Sequence, residues 1–136
     1  MLYLTSKVSA GLYGFESPAA EYKELELSLD DYLIEKPSST FLAVATGNSM
    51  EARGIFDGDV LVVDRSLKER TGDVIVCNLG GEFTCKVIDI ENRLLHSDSD
   101  SFPPIRIEDY DVFTIEGVVK TSIRNHRPSR LFGNDS

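Results

Sequence analysis

Residues 54–90 read GIFDGDVLVVDRSLKERTGDVIVCNLGGEFTCKVIDI, and they decide the fold. Three apolar runs rich in β-branched residues, Val60 to Asp64, Asp73 to Asn78 and Phe83 to Ile90, are punctuated by Asp57-Gly58-Asp59, Thr71-Gly72-Asp73 and Gly80-Gly81. Short runs of this composition, bounded by glycine and aspartate, predict strands joined by tight turns. Phe41 to Ala45 upstream and Phe113 to Ile123 downstream have the same character, so at least these five segments are expected to be strands. No sustained helical period lies between them. That excludes an alternating α/β sheet and predicts an all-β fold, a sandwich or a partly closed barrel.

Working outward, Ser28 stands three residues before Asp31 and opens a Leu29, Tyr32, Leu33 pattern that Pro37 ends. This predicts one or two helical turns capped by Ser28. Residues 1–23 carry no period and are broken by Gly11, Gly14 and Pro18, which predicts a flexible arm ahead of a β-rich domain over residues 24–123. The polar, proline-containing stretch from His96 to Pro104 reads as an exposed loop, and residues 124–136 as a mobile tail.

A chain of 136 residues suits one domain able to bury a core without metal or disulfide support. Its formal charge of −9 repels phosphate backbones, so no direct DNA binding is expected and any role near DNA should run through a protein partner. Cys77 and Cys85 both fall inside strand-like runs, which favours two reduced, buried thiols. Their spacing does not suit a metal, and His96 and His126 lie in unrelated contexts, so no metal and no cofactor are expected. No apolar run approaches the roughly 18 residues of a membrane span, and the opening Met1 to Lys7 has no export signal. The expected location is the cytoplasm.

Two features carry chemistry. Gly47-Asn48-Ser49-Met50 follows one predicted strand and precedes a turn-rich segment, where a hydroxyl can project from a loop held by rigid neighbours. Taken alone, such a serine is most often a solvated turn residue. Lys86 lies within a predicted strand, and alternation puts it with Thr84, Ile88 and Ile90, opposite Phe83, Cys85 and Val87. A lone strand lysine usually packs its stem and sends its ammonium to water. If its surroundings desolvate it, the ammonium loses its proton more readily and the neutral amine can act as a base. A serine hydroxyl needs such a base to become a nucleophile. Neither histidine sits in a comparable setting.

Gly14-Phe15-Glu16-Ser17-Pro18-Ala19-Ala20-Glu21-Tyr22, Lys36-Pro37-Ser38-Ser39-Thr40-Phe41, Gly47-Asn48-Ser49-Met50, Gly54 to Asp64, Gly72 to Val76 and Gly81 to Lys86 resemble, in order and spacing, the UmuD branch of the LexA-like self-cleaving serine peptidases. The likeness runs from about Gly14 to Lys120. It implies a LexA-like β-rich catalytic domain in which Ser49 is the nucleophile, Lys86 the general base, and the backbone N–H groups of Ser49 and Met50 the oxyanion hole. It further implies a homodimer whose self-cleavage is stimulated by a RecA–single-stranded DNA filament in the SOS response to DNA damage. The shortened form would then join a UmuC-like partner as an error-prone translesion polymerase. LexA repressors carry a helix-turn-helix domain where this chain has only an arm, which points to the UmuD branch rather than to a DNA-binding repressor.

Register with Ser49 places the cut at Tyr13-Gly14, with Ala10-Gly11 as the alternative because the family favours a small residue before the scissile glycine. A tyrosine in a small pocket predicts slow cleavage that Tyr13→Ala quickens. The competing reading is a non-cleaving LexA-like interaction protein that binds a polymerase or repressor partner. A signal-peptidase-like enzyme would be expected to carry a membrane anchor.

Overall fold

The computed structural model describes residues 2–3, 26–97 and 101–127. Both candidate scissile bonds, Ala10-Gly11 and Tyr13-Gly14, lie outside these residues. The chain divides into two compact units, residues 1–35 and 36–136.

In the first unit, β1 (Leu2–Tyr3) pairs antiparallel with β2 (Glu26–Leu27). Two-residue strands are too short to show a period, and the sequence does not signal this pairing. Helix α1 (Leu29–Leu33) follows, and the Ser28 Oγ accepts from the Asp31 N–H at 3.4 Å as the cap pattern predicts.

The second unit carries β3 (Thr40–Val44), β4 (Val60–Asp64), β5 (Val74–Leu79), β6 (Glu82–Asp89), β7 (Leu94–His96), β8 (Ile105–Arg106) and β9 (Phe113–Ile123). They form one antiparallel sheet in the order β3-β4-β9-β5-β6-β7-β8. The fold is all-β, as expected from the sequence. Gly80 and Gly81 have φ of +62° and +93° and join β5 to β6 between the paired Leu79 and Glu82. Positive φ at both central residues is what a two-residue hairpin with the native twist requires, which is why two glycines stand there.

Alternation along the strands sends neighbouring residues into different apolar clusters. Val76 and Val87 join Met50, Ile55, Leu61 and Val63 in one, whereas Ile75, Cys77 and Ile88 join Leu95 and Val118 in the other. All five residues of β4 are buried, which explains its unbroken apolar run. Strand β9 bulges opposite both of its neighbours, between Val62 and Val63 of β4 and between Val76 and Cys77 of β5, and such bulges bend a strand across the sheet. Gly117 sits in this bend. A Cβ there would stand 2.6 Å from Val63 Cγ1 and 3.1 Å from the Asp64 carbonyl oxygen. Gly117→Ala is therefore expected to destabilise the fold by about 1–3 kcal/mol through overpacking, read as a lowered urea midpoint with unchanged slope.

Arg124 changes the reading of the C-terminal segment. The sequence places it at the head of a mobile tail, yet its Nε and Nη2 donate to the two Asp59 carboxylate oxygens, each at 2.9 Å, and Nη2 also donates to the Gly54 carbonyl at 2.8 Å. Its guanidinium lies 4.1 Å from the Phe56 ring centroid. The Arg124 hydrogen bonds hold the buried Asp59 carboxyl below the usual carboxylate range. The end of β9 is thereby tied to the β3–β4 connection. Residues 128–136 lie outside the described residues.

Candidate active site

Ser49 sits in the connection between β3 and β4, which is braced at its base. The Ala45 N–H donates to the Asp59 carbonyl and the Gly58 N–H to the Ala45 carbonyl, each at 2.8 Å. The Asp57 carboxylate accepts from the Gly47 N–H at 2.8 Å, and Gly47 has φ +85°, a left-handed conformation that favours glycine at this turn. Beyond the serine, Met50 is 5% exposed within the first apolar cluster. Its carbonyl accepts from the Arg53 and Ile55 N–H groups at 3.0 and 3.2 Å. Ser49 is thus half-buried between fixed residues. Among the described residues, no group accepts from the backbone N–H of Ser49 or of Met50, so both remain available as donors.

Lys86 lies in the interior of β6, opposite Ile75 of β5, and is 8% exposed. Its Nζ is 3.3 Å from Ser49 Oγ, so the fold brings together the two residues that the sequence singled out 37 positions apart. Desolvation pulls the Lys86 ammonium below its ordinary pKa. The thiols of Cys77 and Cys85 are free and burial pushes each up to about 11, so at neutral pH they place no negative charge beside the lysine. His96 stands 4.0 Å from Asp89 and takes no part in the pair. Among the described residues no acid, histidine or cysteine cluster could hold a metal, and no helix is long and apolar enough to cross a membrane.

One site residue was not legible. The segment beginning at His96 reads as an exposed loop, but His96 ends β7 and Ser97 is only 3% exposed. Lys86 Nζ donates to Ser97 Oγ at 2.7 Å, shorter than its contact with Ser49. The only sequence signal is Leu94-Leu95, two residues too few to announce a strand.

Beside Ser49 lies a cavity of about 170 Å³, lined by Ala43, Val44, Leu61, Val76 and Cys85 among others. A hydroxyl, a desolvated amine, two free N–H donors and a cavity for a side chain are together what acyl transfer to serine needs.

Residues 2–120 match the Peptidase S24-like family model. The chain is 40% identical to the protein ImpA of Escherichia coli over 120 residues, 86% of this chain and 81% of that one. It is 39% identical to the protein MucA of Escherichia coli over 127 residues, 91% of this chain and 84% of that one. A LexA repressor from Pseudoalteromonas atlantica is 34% identical over 110 residues, 79% of this chain but 53% of the repressor. With a site of this geometry and a match across most of its length, the chain belongs to the Peptidase S24-like family.

Proposed function

We propose that this chain is a UmuD-like peptidase that cuts its own N-terminal arm once. The observation that carries the reading is the 3.3 Å approach of Lys86 Nζ, on a lysine 8% exposed, to Ser49 Oγ. In the proposed reaction Ser49 Oγ attacks the carbonyl carbon of Tyr13 while its proton passes to the neutral Lys86 amine. The Ser49 and Met50 N–H groups receive the oxyanion. The bond to Gly14 then breaks, and the Lys86 ammonium returns the proton to the leaving amine. Water, activated by the same amine, hydrolyses the acyl-serine.

The homodimer, the stimulation by a RecA–single-stranded DNA filament and the pairing of the shortened form with a UmuC-like translesion polymerase belong to this proposal, as does action in the cytoplasm. Similarity to a LexA repressor, to ImpA and to MucA supports an SOS-related role. The charge of −9 supports contact with protein partners rather than with DNA itself.

The cavity bears on the choice of bond. The cavity of about 170 Å³ beside Ser49 is open on one side, and Thr46 and Thr84 line it together with Ala43, Val44 and Leu61. The family's preference for a small residue before the scissile glycine supports the expectation that Tyr13→Ala quickens cleavage. Overpacking by a bulky side chain costs about 1–3 kcal/mol, so Tyr13→Ala should speed cleavage by about 5- to 100-fold, with Tyr13→Phe close to wild type. Incubating the pure chain at alkaline pH, then measuring intact mass and the new N-terminus, tests the whole reading. A fragment starting at Gly14 is expected. One starting at Gly11 would move the cut to Ala10-Gly11, and an intact chain would leave the non-cleaving interaction protein as the better account.

A further inference from the structure

We propose that Ser97 is a positioning residue for Lys86, its hydroxyl accepting one amine N–H so that the nitrogen lone pair is turned toward Ser49. The inference rests on the peptidase reading above, and its basis is the register of β6 and β7. Val87, Ile88 and Asp89 pair with His96, Leu95 and Leu94. One further step along this antiparallel ladder sets Lys86 opposite Ser97. Ile88 and Leu95, two residues along on the same face, lock that register inside the second apolar cluster. The hydroxyl thus stands one residue beyond the paired end of β7.

A hydroxyl has one donor and two acceptor sites, and a neutral amine has two N–H donors and one lone pair. An N–H committed to Ser97 at 2.7 Å limits the amine's rotation about its last bond, and the lone pair must then point elsewhere, with Ser49 Oγ at 3.3 Å as its neighbour. Once the amine has taken the serine proton, the same hydroxyl still accepts from the ammonium and stabilises it. Ser97 is 3% exposed, so water cannot readily replace it in this role. The titratable groups that bear on Lys86 are Cys77 of β5 and Cys85 of β6 itself. Both remain thiols near neutral pH. His96 of β7 pairs with Val87 and lies against Asp89 instead.

The test is Ser97→Ala, with Ser97→Thr as the rescue. Losing a hydrogen bond to a charged group and the aim of the base should lower the maximal self-cleavage rate by about 10- to 100-fold. The pH midpoint of the rate should also move down, because the lost acceptor favoured the ammonium. Threonine, which keeps the hydroxyl, should restore both. A lowered rate with an unmoved midpoint would mark Ser97 as merely structural, and no change in either would overturn the proposal outright. The lysine Cε resonance, titrated in Ser49→Ala with and without Ser97→Ala, gives a second reading that needs no cleavage. There the Lys86 midpoint should fall when Ser97 is removed, and an unmoved midpoint sinks the proposal. If the wild-type chain does not cleave, the peptidase reading fails while this titration still decides the fate of the Ser97–Lys86 contact.

Discussion

Ser49→Ala and Lys86→Ala are each expected to leave the chain intact by mass under conditions that shorten the wild type. In serine peptidases whose nucleophile and base act as a unit, removing either one lowers turnover by about 10⁶-fold, far below detection for a single intramolecular event. Both variants should stay folded, for different reasons. Ser49 is half-buried in a loop held by its neighbours, and its hydroxyl carries no packing. Lys86 is buried and its ammonium is disfavoured there by desolvation, so its removal relieves one unfavourable term while opening a void. Lys86→Met, closer in volume, is the control that separates lost chemistry from lost packing. If Lys86→Met cleaved at the wild-type rate while Ser49→Ala did not, another base would be at work and the pair would be wrong.

How far the site could be read from residues alone follows from the range of each interaction. Strands β4 and β9 begin and end where the apolar runs do, and β3, β5 and β6 are displaced by one residue, because glycine turns and β-branched runs are local signals. Strands β7 and β8, of three and two residues, are shorter than any detectable period. Ser49 and Lys86 were legible as a pair only through the order of several motifs, since nothing in either residue's own neighbourhood names the other. Ser97 and Arg124 were not legible at all. The Ser97 contact depends on the β6–β7 register, and Arg124 meets Asp59 across 65 residues. Both are products of the assembled sheet. The polar segments that carry them look, one residue at a time, like solvated chain.

Spontaneous cleavage is expected to climb about tenfold per pH unit at the acid end and then level off, because only the neutral fraction of Lys86 can accept the serine proton. Burial moves its pKa down from the ordinary lysine value of 10.5, so the plateau should begin below the pH at which an exposed lysine would reach it. Ionised thiols at Cys77 and Cys85 would oppose that shift by holding the ammonium. With both pushed up to about 11, they stay protonated through the rise and exert no such pull. Loss of rate at low pH must be kept apart from acid unfolding, and the pH windows allow it. The carboxyls of Asp59, Asp64 and Asp89 are held below the ordinary aspartate value of 3.8 by hydrogen bonds from Arg124, Ser66 and Asn92 respectively. The stability they contribute is present above that value and is lost only as pH falls below it. Lys86 has the same sign in a more alkaline window. The unfolded chain binds its proton more readily, so folding stability rises with pH between the folded-state value and 10.5. At pH 6 the lysine weakens the fold slightly while every one of these carboxylates remains ionised. Circular dichroism at about pH 6 should therefore show a folded chain whose cleavage is slow, and raising the same sample to about pH 9 should quicken it by about tenfold or more. A folded chain that cleaves at one rate from about pH 6 to 10 would require a base other than Lys86.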